Sequence, residues 1–326
     1  MFVHIKGTGS ALPRRVVRNA ALGKILETTN DWIVSHTGIH ARRIAKRSDT
    51  LSKFAAEAGR LALEDAGVAP GELGIVIVAT TTGDYAGFPA TACIVQNALG
   101  AARAGAFDIN AACTGFIYAL TAAEGFVRAD GRPALVIGAE MLSRVVDWGD
   151  RSLCVLFGDG AGAVVLGASE QPGGLSHRYL RSDGSGERAL FREGGTRSLD
   201  RPSSPFVQMK GKVVFNFAVK ALEEVLVELA KAEGMAPDDF ARILPHQANA
   251  RIIEAVAKRM GLPQERFFMN ISRVANTSAA SIPIALDELA RGGGLFPGDF
   301  FCMAGFGAGL TYGGVLARWT KQEGRG

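Results

Sequence analysis

Short apolar runs that close on small or hydroxyl-bearing residues alternate along the chain with longer stretches of helical period. Ile75–Thr82 reads Ile-Val-Ile-Val-Ala-Thr-Thr-Thr, which predicts a strand buried on both faces. Ala134–Gly138 and Phe300–Ala304 read the same way. Met1–Gly7 predicts a first strand and not a leader segment. Thr50 is placed to cap a helix running to Ala66, with Leu51, Phe54, Ala55, Ala58 and Leu61 on one stripe. Lys212–Glu233 predicts a second long amphipathic helix. Cys113–Val127 is apolar nearly all round, which predicts a buried helix. Gly184–Pro205, rich in Gly, Ser, Arg and Pro, reads as a long surface loop.

The pattern occurs twice. A strand leads to Cys113 at the start of a helix, followed by Pro133-Ala-Leu-Val-Ile-Gly138 and by Phe157-Gly-Asp-Gly-Ala-Gly162. A strand ending at His246 leads to Asn276 at the start of a helix, then to Phe300-Phe-Cys-Met-Ala-Gly305 and Phe306-Gly-Ala-Gly309. Alternating strands and helices predict α/β layers, and two copies predict similar halves related by a pseudo-twofold. The boundary falls near Glu170-Gln-Pro-Gly-Gly174, giving halves of residues 1–170 and 171–326.

With 48% hydrophobic and 21% charged residues among 326, the chain has a globular composition. No apolar run reaches the roughly 20 residues of a membrane span, which predicts a protein off the membrane. A net charge of +4, with no aromatic residues interleaved among the basic ones, argues against a nucleic-acid binder. The excess suits an acidic partner or a phosphate-bearing ligand. The four cysteines, Cys93, Cys113, Cys154 and Cys302, have the spacing of neither a zinc site nor a small disulfide framework. No metal is expected, and a reducing cytoplasm fits.

Cys113 has the clearest chemistry. A thiol at the first turn of a helix faces unpaired N–H groups and the positive end of the helix dipole, and both favour the thiolate. A lone buried cysteine is more often a small hydrophobe. His246 and Asn276, at matching places in the second half, change that balance. Together with Gly7-Thr-Gly-Ser-Ala-Leu-Pro13, Asp31-Trp-Ile-Val34, Thr37-Gly-Ile39, Phe157-Gly-Asp-Gly-Ala-Gly162, Pro245-His-Gln-Ala-Asn249 and Asn276-Thr-Ser-Ala-Ala-Ser281, they make the chain resemble the thiolase superfamily, and within it the β-ketoacyl-acyl carrier protein synthase III family. The likeness runs nearly end to end.

The resemblance implies a five-layered αβαβα fold, a homodimer and a Cys113–His246–Asn276 triad. Cys113 would take an acyl group from acyl-CoA. The backbone N–H groups of Cys113 and of the Gly307–Ala308 turn would hold the oxyanion. His246 and Asn276 would stabilise the enolate formed when malonyl-acyl carrier protein loses carbon dioxide. No cofactor is required beyond these thioester substrates. Trp32, His36, Arg151, Gly211 and Asn249 match positions for CoA and its pantetheine arm. Arg251, Lys258 and Arg259 match the face that meets acyl carrier protein. Phe88, Leu142, Phe157 and Phe306 match the acyl pocket, with Phe88 supplied by the other subunit.

His36 departs from the family, which usually places Arg there, and an imidazole lacks the fixed charge of a guanidinium. Lys212 also replaces a residue that is often uncharged, and the Tyr85–Phe88 loop is slightly longer than the commonest form. A priming ketosynthase or an acyltransferase of a specialised polyketide or lipid pathway is the alternative reading. A degradative thiolase would need a second cysteine at the site, for which Cys302 is the one candidate.

Overall fold

A computed structural model describes residues 1–194 and 204–321. Two sheets organise them. In the first, the strands stand in the order Phe2–Ala11, Asp159–Ser169, Ala134–Met141, Ile75–Ala79, Gly105–Ile109. In the second, the order is Gly174–Ser182, Thr311–Arg318, Phe300–Gly307, Arg242–Pro245. The pairings agree as well as the order. The first two contacts of each sheet are antiparallel and the third is parallel. The fifth strand of the second sheet is reduced to a single parallel bridge between Ile243 and Phe267.

Alternation of side chains across each strand builds the layers. Ile75, Ile77 and Ala79 face a central core shared with helices Gly115–Asp130 and Ser281–Arg291. Val76 and Val78 face an outer core with helix Leu51–Ala66. In the second sheet Phe301 and Met303 point to the centre, while Cys302, Ala304 and Phe306 meet helices Gly211–Glu233 and Ala250–Met260. Outer helices, sheet, central helices, sheet and outer helices make the five layers. Among the described residues no helix is long and apolar enough to cross a membrane.

Several local expectations change. Helix Leu51–Ala66 forms, but the Thr50 side chain does not cap it. Asp84, from a distant loop, accepts from Leu51 N at 2.7 Å instead. The buried stripe of that helix shifts to Leu51, Ala55, Ala58, Gly59, Ala62 and Leu63, and Phe54 and Leu61 stay half-buried. The shift follows from the first strand, where a Cβ on Gly7 would lie 2.4 Å from Ala62 O, so only small side chains fit between them. The strand from Ile75 stops at Ala79, because Thr80–Thr82 turn their hydroxyls to Glu140. The Gly184–Pro205 segment is not wholly loop. Leu190–Arg192 pairs with Val207–Met209, and residues 195–203 lie outside the described residues.

Candidate active site

Cys113 does not occupy the first turn of the α-helix. It stands in a 3-10 turn, Ala112–Thr114, and the helix begins at Gly115. The turn is set by Asn110, whose Oδ1 accepts from Ala112 N at 3.3 Å, and by Ala112 at φ 46°. The second half repeats this construction. Asn276 Oδ1 accepts from Ser278 N at 2.8 Å, Ser278 has φ 48°, the 3-10 turn is Ser278–Ala280, and the helix begins at Ser281. The true counterpart of Asn276 is therefore Asn110, and that of Cys113 is Ala279. Sequence spacing placed Cys113 and Asn276 at matching positions, and the structure offsets them by one turn.

The offset lets both side chains enter one cavity. Cys113, His246 and Asn276 all line a pocket of about 400 Å³. Strand Arg242–Pro245 delivers His246, whose N–H bonds Ala304 O at 2.7 Å. The imidazole Nδ1 lies 2.7 Å from Ser281 Oγ and the ring packs edge-on against Phe306. When the Ser281 hydroxyl donates to Nδ1, Nε2 carries the proton and the ring is a donor at that nitrogen. Asn276 is fixed by backbone bonds to Leu156 O and from Gly158 N, both at 2.9 Å. Its Oδ1 is committed to Ser278, so its amide N–H groups form the donor end. Gly307 passes so close to Cys113 that a Cβ there would sit 2.9 Å from the Cys113 Cβ.

Burial decides the resting protonation. Desolvation pushes the Cys113 thiol up to about 12, although the Ser278 hydroxyl pulls it down; Glu140 adds to the rise. The thiolate expected from a helix terminus is thus overridden, because loss of water outweighs a helix end one turn away. Burial also pushes His246 down to about 3. The resting pair is a neutral thiol and a neutral imidazole.

Trp32 and His36 stand at the cavity mouth with rings stacked 4.5 Å apart, and the Arg151 guanidinium lies 5.1 Å from the Trp32 centroid. His36 Nδ1 is 2.7 Å from Trp32 O, so the ring is tied to its own helix, Asn30–Thr37. Asn249 caps helix Ala250–Met260 and donates to His36 O at 3.1 Å. Gly211 and Lys212 line the same cavity. Arg251, Lys258 and Arg259 are exposed on helix Ala250–Met260; Arg251 pairs with Glu254 and Arg259 with Glu223.

Phe157 and Phe306 line the cavity as expected, whereas Leu142 does not. Leu142 starts the 3-10 turn Leu142–Arg144 and turns into a core with Val146 and Leu153. Ala308 lies beyond the end of strand Phe300–Gly307. Phe88 is 90% exposed and outside the cavity. Cys302 is buried in the outer core with helices Gly211–Glu233 and Ala250–Met260 and does not line the cavity, which removes the candidate for a second reactive cysteine. Sequence reasoning missed Ser281, Ser278 and Glu140. Glu140 left a signal, a carboxylate at the end of the apolar run Ala134–Met141.

The chain matches the family 3-Oxoacyl-[acyl-carrier-protein (ACP)] synthase III over residues 107–184 and that family's C-terminal part over residues 229–319. A Beta-ketoacyl-[acyl-carrier-protein] synthase III of Bordetella petrii is 48% identical over 320 residues, covering 96% of this chain and 97% of the relative. The crystal structure of 3-oxoacyl-[acyl-carrier-protein] synthase III from Aquifex aeolicus superposes with a TM-score of 0.92 at 45% identity, covering 97% of this chain and all of that one. The priming β-ketosynthase of the R1128 polyketide pathway superposes at 0.93 with 38% identity, covering 98% and 97%.

Proposed function

Since this chain belongs to the 3-oxoacyl-[acyl-carrier-protein] synthase III family of the thiolase superfamily, we propose that Cys113, His246 and Asn276 carry its decarboxylating Claisen condensation, the reaction that initiates fatty-acid biosynthesis. The observation behind the assignment is their convergence in one cavity from two halves. The Cys113 sulfur attacks the acyl carbonyl of an acyl-CoA, the carbonyl–sulfur bond breaks, and the thiol proton ends on the departing CoA thiolate. The Cys113 and Gly307 backbone N–H groups hold the oxyanion; the close approach of Gly307 supports this pairing.

Malonyl-acyl carrier protein then enters. Its carboxylate leaves as carbon dioxide, and the electron pair passes to the thioester oxygen. His246 Nε2–H and the Asn276 amide donate to that oxygen. The enolate carbon bonds to the acyl carbon, the Cys113–acyl bond breaks, and Cys113 regains a proton from solvent. Trp32, Arg151 and His36 form a flat, stacked mouth suited to the adenine end of CoA. Gly211 and Asn249 border the pantetheine arm. Arg251, Lys258 and Arg259 face acyl carrier protein; their position on the helix capped by Asn249 supports this. A second copy of the chain covers Phe88 and the outer strand Gly105–Ile109, which ends its sheet; sedimentation that returned only monomer would overturn the dimer.

The test is to incubate the protein with acyl-CoAs and acyl carrier proteins and to follow the mass of the Cys113 peptide. Malonyl-carrier protein is then added. Acylation followed by carbon dioxide and a 3-ketoacyl product is expected. Acylation without decarboxylation would refute the assignment. Labelling only by carrier-bound or longer acyl groups would favour a priming role in a specialised pathway, the reading kept open by the 38% identity to the polyketide priming enzyme.

A further inference from the structure

One carboxylate is buried beside the reacting groups and has no part in the steps above. Glu140 is fully buried near the end of strand Ala134–Met141. It accepts from Thr82 Oγ1 at 2.5 Å, from Thr81 N and Thr81 Oγ1 at 3.1 Å, and from Ser278 Oγ at 3.2 Å. Thr80 Oγ1 adds a longer contact at 3.4 Å. Among the described residues no cation reaches it.

Ser278 is the meeting point. Its hydroxyl donates to Glu140, its N–H holds the Asn276 amide oxygen at 2.8 Å, and its turn, Ser278–Ala280, packs against the Ala112–Thr114 turn that carries Cys113. Ser278 adopts φ 48°, a conformation that a non-glycine residue keeps only where the surroundings hold it. Glu140, anchored to Thr80–Thr82 of the first half, supplies such a hold on the second.

We propose that Glu140 is a positioning residue of the centre: it anchors Ser278 and, through Ser278, fixes the Cys113 thiol and the Asn276 amide relative to one another. Its charge has a second consequence. Burial lifts the Glu140 carboxyl to about 7, against the hydrogen bonds of Thr82, Thr81 and Ser278. It therefore ionises around neutrality, and once ionised it makes the Cys113 thiol harder to deprotonate. The other charged groups on the packed elements are committed elsewhere. Asp159 bonds Ser143 and Ala45 N, Glu124 pairs with Arg128 and Arg178, Asp130 accepts from Arg132 N, and Asp287 bonds Thr8, Ser10 and Arg291. Arg60 pairs with Glu57 and Glu64, Lys53 with Asp49, Asp65 with Lys321, and Glu288 with Arg273. His246, which lines the same cavity as Cys113, is held neutral by burial.

The inference rests on Cys113 as the nucleophile, and its test reads that thiol without requiring condensation. The full-length protein is alkylated with iodoacetamide across a range of pH. In the parent, the rate profile should show an inflection near the Glu140 ionisation. Glu140→Gln keeps an acceptor oxygen and removes the charge, so the inflection should vanish. Each unit by which the thiol becomes more acidic gives tenfold more thiolate, partly offset by lower nucleophilicity, for a net rise of about threefold. Thr82→Val removes one donor to the carboxylate without touching Cys113 or Ser278, so it should move the inflection to higher pH. In turnover, Glu140→Gln and Ser278→Ala should each lower kcat, and the double variant should be no worse than the poorer single one. Profiles that superimpose for the parent, Glu140→Gln and Thr82→Val would overturn the proposal, as would additive losses in the double variant. A parent that alkylates as expected but never condenses would count against the proposed function and not against Glu140.

Discussion

Cys113 and His246 rest uncharged because both are buried, so neither is preset for its task by charge alone. The arrangement suits a two-stage reaction. A permanent imidazolium at 1% exposure would bear a large desolvation cost, whereas a neutral ring held by Ser281 still offers an N–H. Asn276 has a simpler place in this scheme. Its Oδ1 is occupied by Ser278 N, so only its N–H groups are left for substrate. Asn276→Asp keeps that acceptor and removes the donor. Acyl transfer to Cys113 should then survive within severalfold, while decarboxylation falls about 100-fold or more, a loss typical of a missing oxyanion donor. Single-turnover acylation and carbon dioxide release measure the two steps separately, and equal losses would contradict the division of roles. The identities of the three residues were legible in the chain. Their resting charge was not, since it depends on how much water the fold removes around them.

The elements show which local signals carry through. Apolar runs located the strands through Ile75, Ala134 and Phe300, and helical period located Leu51–Ala66 and Gly211–Glu233. The cap of helix Leu51–Ala66 differs from the expected one because Thr50 is adjacent in sequence, whereas Asp84 reaches the free Leu51 N–H through the fold. Asp84→Ala should destabilise the protein by about 1 kcal/mol, the usual worth of an N-cap. Thr50→Ala should change stability by less than about 0.5 kcal/mol, as surface changes do. Urea midpoints of the two variants decide between the caps, and the reverse order would restore Thr50. The turns before the central helices were equally hard to read. Positive φ at Ala112 and Ser278 has no signature in residues that are not glycine. Two asparagines two residues upstream, Asn110 and Asn276, were the available clue.

At the scale of the molecule, Cys113 and Asn276 meet because two sheets of the same strand order sandwich two central helices and these residues stand just before them. Their approach depends on missing side chains. A Cβ on Gly138 would lie 2.2 Å from Ala279 O, so the strand that carries Glu140 can reach the Asn276–Ala280 turn only as glycine. Gly138→Ala should cost about 1–3 kcal/mol by overpacking, and it should lower kcat by displacing that turn. Thermal melts and turnover read both effects, and an active variant with unchanged stability would mean that the halves tolerate separation. The sequence by itself determined the repeat, the layer pattern, the chemical groups and the family, because periodicity and residue type are properties of the chain. Tertiary structure alone decided the one-turn offset of Cys113 from Asn276, the neutral resting pair and the buried Glu140 that ties the halves together. These depend on solvent exclusion and on distances between residues far apart in the chain, which no local pattern records.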